Sequence, residues 1–392
     1  MEIIAEIQRE QQELVALRRD FHAHPELGFE EYRTAERVAE YLTQCGIEVR
    51  TGVAKTGVVG LIRGEQDGRT VMLRSDMDAL PITEETGLPF ASENDGVMHA
   101  CGHDGHMAML LVAAKVLSRH RDRIRGAVKL VFQPNEEDAG AEPMVEEGVL
   151  DDPPVDGAFG LHLWSPLSTG TIGIAEGPVM ASSYYFTLTI RGQGGHGGAP
   201  HLAVDPIACA TNIMQTVQNV QTRRVDAVYE PTVITFGSIH GGNSPIVIPD
   251  RVTLGGSIRC LHDRDAEVRE MFERVVKTEC EAAGAEYEIS YKCGNKLLAN
   301  DPDMTRIVEE VTASYPEEQL SLERRVKVML GEDFAEFALR VPSAFSFVGT
   351  AREEAGSTYP HHHPRFTIDE ASLPIGAAMH VQTALAFLSA GV

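Results

Sequence analysis

The sequence lacks the excess of basic residues that is typical of nucleic-acid-binding proteins and the long apolar runs of membrane-spanning proteins. Lysine and arginine number 34 against 58 aspartate and glutamate residues, which gives a formal net charge of −24. Because phosphate groups and anionic lipid surfaces are bound by clustered basic side chains, we expect neither as a partner. A run of about 18 apolar residues, the length that spans a membrane, is also missing. The stretch 1–21 lacks the apolar centre of a signal peptide.

Cysteine is scarce, and its placement argues against a disulfide framework. The chain has six cysteines in 392 residues, scattered without the spacing of such a framework. They are Cys45, Cys101, Cys209, Cys260, Cys280 and Cys293. We therefore expect reduced thiols in a cytoplasmic protein, with Cys101 alone set apart by its neighbours.

What the chain does have is an alternation of strand-like and helix-like segments in its first part. A long apolar helical stretch covers residues 105–120. The apolar strand-like segments are residues 57–64, 70–78, 126–137 and 157–164. This alternation predicts an α/β fold, with a layered mixed sheet and helices on both of its faces.

The pattern changes near residue 181, which indicates a second domain. Between residues 181 and 294 the strands alternate polar with apolar residues, as in a sheet with one solvated face, and two amphipathic helices accompany them. The first pattern then resumes. We therefore predict a catalytic domain formed by residues 1–180 and 295–392, with residues 181–294 inserted as a smaller α+β domain.

Potential metal ligands follow several of the predicted strands. Ligands of α/β sheets gather at the carboxyl ends of strands, and acidic or histidine residues occupy these ends here. They are Asp76, Asp78, Glu136, Glu137 and His162. Taken singly, the adjacent glutamates also suit a solvated loop, and a histidine in an apolar strand is more often a hydrogen-bonded core residue.

The segment MHACGHDGHMAML, residues 98–110, adds Cys101 and His103 directly before the predicted helix. Thiolate and imidazole suit Zn²⁺, and imidazole with carboxylate also suits Mn²⁺, Co²⁺ or Ni²⁺. A lone Cys-x-His equally suits a turn with an incidental thiol, and the histidines at 361–363 equally suit a surface loop. Together, one thiolate, one carboxylate and three imidazoles exceed the needs of one tetrahedral zinc with an open position. They predict two ions that share the thiolate.

These motifs, in this order, resemble a known family over essentially the whole chain. It is the dinuclear metallo-amidohydrolases related to aminoacylases and carboxypeptidase G, in the branch of hippurate hydrolases and indole-acetyl-amino-acid hydrolases. The motifs that carry the resemblance are FHAHPELGFEE, RSDMDALPI, MHACGHDGHMAMLL, FQPNEE, GLHLW, GGHGGAPHLAVDPI, GGNSPIVIPD, GSIRC, GEDFAEF and HHHPRFTIDEASLPIGAA.

The resemblance implies roles for individual residues. The family's metal ligands fall on Cys101, His103, Glu137, His162 and His362, and Cys101 would bridge two divalent ions. These ions are expected to be Zn²⁺ or Mn²⁺, and Co²⁺ or Ni²⁺ is also possible. Glu136 falls on the general base, and Asp78 and Asp76 fall on carboxylates behind the ligands. His362 is chosen by its spacing to Pro364, with His361 and His363 as alternatives. Asn135 stands where relatives more usually have alanine.

The resemblance also implies a role for the inserted domain. This domain is expected to act as a lid and to form the contacts of a homodimer or homotetramer. In the family, a histidine of this domain reaches an active site, often that of the partner subunit. The equivalent position here is His196. Asn243 and Arg259 fall on positions that contact substrate, with the arginine expected to hold a carboxylate. Without the resemblance, His196 suits an exposed glycine-rich turn, and Arg259 suits a structural ion pair.

The implied activity is metal-dependent hydrolysis of N-acyl amino acids to a carboxylic acid and a free amino acid. The acyl group is expected to be acetyl, benzoyl or similar. Two dications less one thiolate, one glutamate and one hydroxide leave a formal charge of about +1, which suits an anionic substrate. The alternative is a dipeptidase or carboxypeptidase acting with the same two ions.

Overall fold

The computed structural model describes residues 2–316 and 318–389, which form two compact units. The first unit draws on the ranges Met1–Gly177, Ala299–Lys327 and Asp333–Val392, and the second on Pro178–Leu298 and Val328–Glu332. The outer ends of the predicted catalytic domain, residue 1 and residues 390–392, lie outside the described residues.

The described residues form ten α-helices, and short 3₁₀ turns accompany them. The helices are α1 (Glu2–Arg9), α2 (Gln11–Ala23), α3 (Tyr32–Gln44), α4 (His103–Arg119), α5 (Ala141–Glu146), α6 (Pro206–Arg224), α7 (Asp265–Ala283), α8 (Pro302–Ala313), α9 (Ala335–Ala338) and α10 (Leu373–Ser389).

Sixteen strands are present in the same part of the chain. They are β1 (Glu48–Val53), β2 (Gly57–Arg63), β3 (Gln66–Asp76), β4 (Arg125–Gln133), β5 (Gly157–Ser168), β6 (Thr171–Gly173), β7 (Gly177–Met180), β8 (Ser182–Arg191), β9 (Gly195–His196), β10 (Thr232–His240), β11 (Val247–Ile248), β12 (Arg251–Cys260), β13 (Glu286–Cys293), β14 (Leu298–Asn300), β15 (Ser321–Glu323) and β16 (Ser343–Ala351).

The first unit is built on an eight-stranded mixed sheet in the order β1-β2-β4-β3-β5-β16-β6-β15. Strands β4, β3, β5 and β16 are mutually parallel, whereas β1, β2 and β6 pair antiparallel. Consecutive residues Val71, Met72 and Leu73 on β3 are all fully buried. Because successive strand residues point to opposite faces, both faces of the sheet are covered there. The predicted α/β fold with a mixed sheet is confirmed.

Helix α4 passes through the core of this unit. Most of its residues are buried, as expected for a helix that is apolar on all sides. It begins at His103, two residues before the predicted helical stretch. The preceding Gly102 has a φ of +95°, which disfavours other residues, and turns the chain into the helix.

Helix α10 packs beside α4 and is the most apolar helix of the core. By length and composition alone, the segment Glu370–Ser389 would be able to cross a membrane. However, 67% of that stretch is buried inside the protein. A buried core helix has the same composition, so this segment is weak evidence for a membrane span.

The second unit is an antiparallel sheet in the order β10-β12-β8-β13, with helices α6 and α7 packed against it. On β8 the side chains of Phe186, Leu188 and Ile190 are buried against the helices, whereas Tyr185, directly before them, is 45% exposed. This alternation gives the sheet one packed face and one open face. A short ribbon of β9 and β11 completes the unit, with Val247 opposite His196.

Candidate metal centre

Three parallel strands of the first unit bring the predicted ligands to one edge of the sheet. On the adjacent parallel strands β3 and β5, Arg74 is paired with Gly160. Asp76 and His162 each follow two residues later, so they lie side by side on the two strands. Strand β4 ends at Gln133 on the other side of β3, and Glu136 and Glu137 follow it. The carboxyl ends of these strands therefore meet where the residue types had predicted a site.

Two groups of potential ligands share the thiol of Cys101. In the first, Cys101 lies with His103 and His162, and in the second it lies with Glu137 and His362. Within each group the donor atoms lie within 4.8 Å of one another. The Cys101 Sγ is 3.5 Å from Nε2 of His162, and Nε2 of His362 is 3.2 Å from Oε1 of Glu137. All five residues predicted as ligands are thus brought together.

Both buried histidines of the first group contact a backbone oxygen through Nδ1, which leaves Nε2 for the site. Nδ1 of His103 lies 2.8 Å from the backbone oxygen of Asp78, and Nδ1 of His162 lies 2.6 Å from that of Leu163. A carbonyl only accepts, so each Nδ1 carries a proton and each Nε2 is the nitrogen available to bind an ion. Nε2 of His103 is buried and has no hydrogen-bond partner among the described residues. These residues therefore fit a metal ion.

The charges around the centre favour cations. Burial alone would lower the pKa of His103, but the carboxylates of Asp76, Asp78 and Glu137 outweigh it and raise that pKa to about 10. Burial, reinforced by Glu137, raises the pKa of the Cys101 thiol well above its ordinary value. Without a cation the centre therefore retains protons on both groups, and a divalent ion would displace them.

Asp78 links the two ligand groups. Its Oδ1 lies 3.3 Å from Nδ1 of His103, beside the backbone contact already described. Its Oδ2 accepts the backbone N–H of Glu137 at 3.1 Å. Asp78 thus lies behind one ligand from each group, which matches the position that the resemblance implies for it.

The three adjacent histidines of the C-terminal loop have different surroundings. His361 stacks on Trp164, and its Nε2 lies 3.3 Å from the backbone nitrogen of Ser165. His363 stacks on Tyr359. His362 alone of the three stands beside Glu137 and the Cys101 thiol, which favours the register chosen from the spacing to Pro364.

Asn135 shapes the turn that carries the two glutamates. Its φ is +52°, in the left-handed region that asparagine tolerates better than most residues. Its backbone N–H donates to Oε1 of Glu31 at 2.9 Å, and its side-chain Nδ2 donates to the backbone oxygen of Asp138 at 2.9 Å. The asparagine therefore has a conformational role in the turn before Glu136 and Glu137.

A buried polar chain behind the ligands links Asp76 to partners that the sequence did not predict. Asp76 accepts hydrogen bonds from Arg74 and His106, and Arg74 also contacts Gln133 and Asp333. The one available signal was spacing, because His106 follows His103 by three residues on a helix and must lie near it. The partner Asp333 is 259 positions from Arg74, beyond any local pattern.

The remaining predicted site residues belong to the second unit. His196 and Asn243 line an open cavity of about 760 Å³ between the β9–β11 ribbon and the start of β12. Arg259 lies eight residues along β12 from Arg251 at the cavity, roughly 26 Å at strand spacing. One of its guanidinium nitrogens donates to the backbone oxygen of Met329 at 3.1 Å. Within this unit, Arg259 is therefore not brought together with His196 and Asn243.

Comparison with known proteins identifies relatives over most of the chain. The sequence model of peptidase family M20/M25/M40 matches residues 72–386. The chain is 39% identical to thermostable carboxypeptidase 1 of Saccharolobus solfataricus over 381 residues, 95% of this chain and 95% of that protein. It is 44% identical to an N-acyl-L-amino acid amidohydrolase of Geobacillus stearothermophilus over 291 residues, 74% of this chain and 78% of the relative.

A solved structure from Bacillus subtilis has the same fold, with a TM-score of 0.85 at 34% identity. It covers 97% of this chain and 99% of its own, and is described as a dinuclear metal-binding peptidase of family M20. The family predicted from the order of the motifs is confirmed. With a family match over residues 72–386 and relatives above 30% identity along nearly its full length, the chain belongs to peptidase family M20/M25/M40.

Proposed function

We propose that this protein hydrolyses the amide bond of N-acyl amino acids with the help of two divalent metal ions. The observation that carries the proposal is the sharing of one thiol, Cys101, by two separate groups of ligands. The Geobacillus relative, an N-acyl-L-amino acid amidohydrolase by name, supports the substrate class. When bound, the ions would supply an acidified water and Lewis-acid polarisation of the scissile carbonyl.

Glu136 is the proposed general base. Its side chain is 7% exposed and lies near Glu137 and His103, but it belongs to neither group that shares Cys101. This position supports the proposal that Glu136 takes a proton from the attacking water and delivers it to the leaving amide nitrogen. This division gives adjacent glutamates two roles, with Glu137 as a ligand and Glu136 as the base.

His196 is proposed to stabilise the developing oxyanion. Its Nδ1 accepts the backbone N–H of Gly198 at 2.9 Å. In a neutral imidazole the proton is then on Nε2, so His196 has an N–H to donate. Asn243 and Arg259 are proposed to bind the substrate, with the guanidinium of Arg259 holding its carboxylate.

The proposed metals, assembly and location follow the same resemblance. Zn²⁺ or Mn²⁺ suits the thiolate, imidazole and carboxylate set, and Co²⁺ or Ni²⁺ is an alternative. We propose that residues 181–294 act as a lid and dimerisation domain in a homodimer or homotetramer. All six cysteines are free thiols, which supports the cytoplasm as the location. Elemental analysis and light scattering of the purified protein test the metal and the assembly.

A carboxypeptidase is the second candidate, favoured by the 39% identity to thermostable carboxypeptidase 1. For a dipeptide the two activities differ in the group on the amide carbonyl side, because a dipeptide carries an ammonium there and an N-acyl amino acid carries an uncharged acyl chain. Parallel assays of N-acetyl and N-benzoyl amino acids against dipeptides of the same residues separate them. Faster hydrolysis of the dipeptides would replace the main proposal.

The role of the base is tested with Glu136→Gln in the metal-loaded protein. We expect the variant to retain two ions but to lose at least a hundredfold in kcat, within the usual range for removal of a general base. Glu146→Gln, an exposed glutamate on α5, is the matched control and is expected to leave kcat unchanged. Near-parental turnover by Glu136→Gln would show that the base is another group.

A further inference from the structure

A second histidine lies against the β5 strand that carries His162. His106 on α4 is 1% exposed, and its Nε2 lies 2.9 Å from the backbone nitrogen of Leu163. Its Nδ1 lies 2.6 Å from Oδ1 of Asp76. The backbone N–H can only donate, so Nε2 is the acceptor and the imidazole proton is on Nδ1. Both nitrogens of His106 are therefore used within the protein.

The carboxylate of Asp76 is itself held in place. Oδ2 of Asp76 accepts Nη1 of Arg74 at 2.8 Å, and the two side chains are 0% and 1% exposed. Arg74 also donates to Gln133 at 2.8 Å and to Asp333 at 3.0 Å. This buried guanidinium holds one oxygen of Asp76 and directs the other to His106, which selects the Nδ1–H tautomer of that histidine.

The contact with Leu163 connects this chain to the ligand. The Leu163 N–H that His106 accepts belongs to the peptide group joining His162 to Leu163. The carbonyl of Leu163 in turn accepts Nδ1–H of His162 at 2.6 Å. The backbone that orients His162 is therefore fixed by His106, and Nε2 of His162 is left facing the Cys101 sulfur at 3.5 Å.

We propose that His106 is a positioning residue that aims His162 at the ion held with Cys101 and His103, and that Asp76 and Arg74 set the tautomer this requires. The proposal rests on the proposed dinuclear centre but not on the identity of the substrate. Loss of a group that orients a metal ligand typically lowers metal affinity by about 10–100-fold.

Two substitutions of His106 separate its two hydrogen bonds. The amide nitrogen of Asn in His106→Asn occupies roughly the place of Nδ1, which keeps the donor to Asp76 and leaves the Leu163 N–H unpaired. The longer side chain in His106→Gln carries its oxygen to roughly the place of Nε2, which keeps an acceptor for Leu163. Zn²⁺ affinities of the metal-free full-length proteins are measured by competition with a chromophoric chelator.

We expect His106→Asn to weaken one of the two zinc equivalents by about 10–100-fold and to leave the other unchanged. His106→Gln is expected to weaken the same equivalent by less than about tenfold. The matched control is His380→Asn, because His380 on α10 is similarly buried, at 2% exposed, but makes no hydrogen bond to Asp76 or Leu163 in the described structure. It is expected to leave both equivalents unchanged.

Equal losses in the Asn and Gln variants of His106, no loss in either, or the same loss in His380→Asn would each overturn the proposal. If His106→Asn does not fold, a crystal structure of the zinc-loaded parent decides. A zinc ion on His162 with the His106–Leu163 contact retained supports the proposal, and a zinc ion on His106 overturns it. Because these measurements need no substrate, a zinc-loaded parent without amidase activity would contradict the proposed function alone.

Discussion

Arg18 and Asp104 form a buried ion pair, with 2.8 Å between Nε and Oδ2, although they are 86 positions apart in the chain. Both side chains are 1% exposed. Nδ1 of His22 lies 2.8 Å from the same carboxylate oxygen. Asp104 belongs to the first turn of α4, so this cluster ties α2 to the helix end that begins at His103.

Removal of Arg18 should be strongly destabilising. Arg18→Met leaves the carboxylate of Asp104 buried with only His22 to neutralise it, and breaking a buried pair in this way costs about 3–5 kcal/mol. Urea unfolding in the presence of a chelator measures the loss. Arg306→Met is the control, because the Arg306–Asp303 pair is 62% and 79% exposed and should contribute little. Similar unfolding midpoints for both variants would contradict the prediction.

The same cluster predicts an acid-sensitive component of stability. Burial alone would raise the pKa of Asp104, but Arg18 and His22 outweigh it and hold that pKa well below its ordinary value. The folded-state pKa is thus below the value of about 3.9 in the unfolded chain. The stabilisation is complete above that unfolded value and is lost as pH falls toward the folded-state pKa.

We therefore expect Asp104→Asn to flatten the decline in unfolding free energy between about pH 5 and pH 3. Denaturant titrations of the metal-free protein across this range give the slope. Asp122→Asn, at an exposed position after α4, should keep the parental slope. A parental slope in Asp104→Asn would mean that other carboxylates dominate the acid limb.

The shared thiol predicts that one substitution affects both metal positions. Cys101→Ala removes the atom common to the two ligand groups, so we expect both zinc equivalents to weaken by at least about tenfold. Equilibrium dialysis with elemental analysis reports the stoichiometry. Cys293→Ala, which changes an exposed cysteine of β13, is the control. Loss of a single equivalent in Cys101→Ala would contradict a bridging role.

Metal affinity should rise with pH across the neutral range. The pKa of His103 is raised to about 10 and that of the Cys101 thiol well above its ordinary value, so zinc must displace a proton from each. Calorimetric titration in buffers of different ionisation enthalpy should show about two protons released as the centre fills. His103→Asn should lower that number by about one. An affinity independent of pH would contradict this account of the metal-free centre.

The sequence by itself determined the fold class and the residue types of the centre. An apolar strand followed by acidic or histidine residues is a local pattern that the sequence shows directly. In an α/β protein, the carboxyl ends of parallel strands meet at one edge of the sheet. The sequence alone therefore predicts that Asp76, Glu136, Glu137 and His162 lie near one another. The order of the motifs was equally sufficient to predict the family.

Tertiary structure alone decided which of these groups touch and which nitrogen of each histidine faces the centre. His106 meets Leu163 across 57 positions, and Arg74 meets Asp333 across 259. His362 is separated from its two histidine neighbours by backbone geometry, with a φ of +64° and its N–H bonded to Ala100 at 2.9 Å. Strand pairing and helix packing create these contacts between distant segments, and no local periodicity encodes them.

In the second unit, too, the sequence predicted the type of sheet, whereas the tertiary structure decided which residues lie close together. Composition and alternation predicted a sheet with one open face, and β8 has that pattern. The resemblance also implied a catalytic role for His196 and substrate contacts for Asn243 and Arg259. Within this unit the direction of β12 separates Arg259 from the cavity that His196 and Asn243 line, because a strand advances about 3.3 Å per residue. Residue identity follows from sequence, whereas proximity depends on how the strands and helices pack.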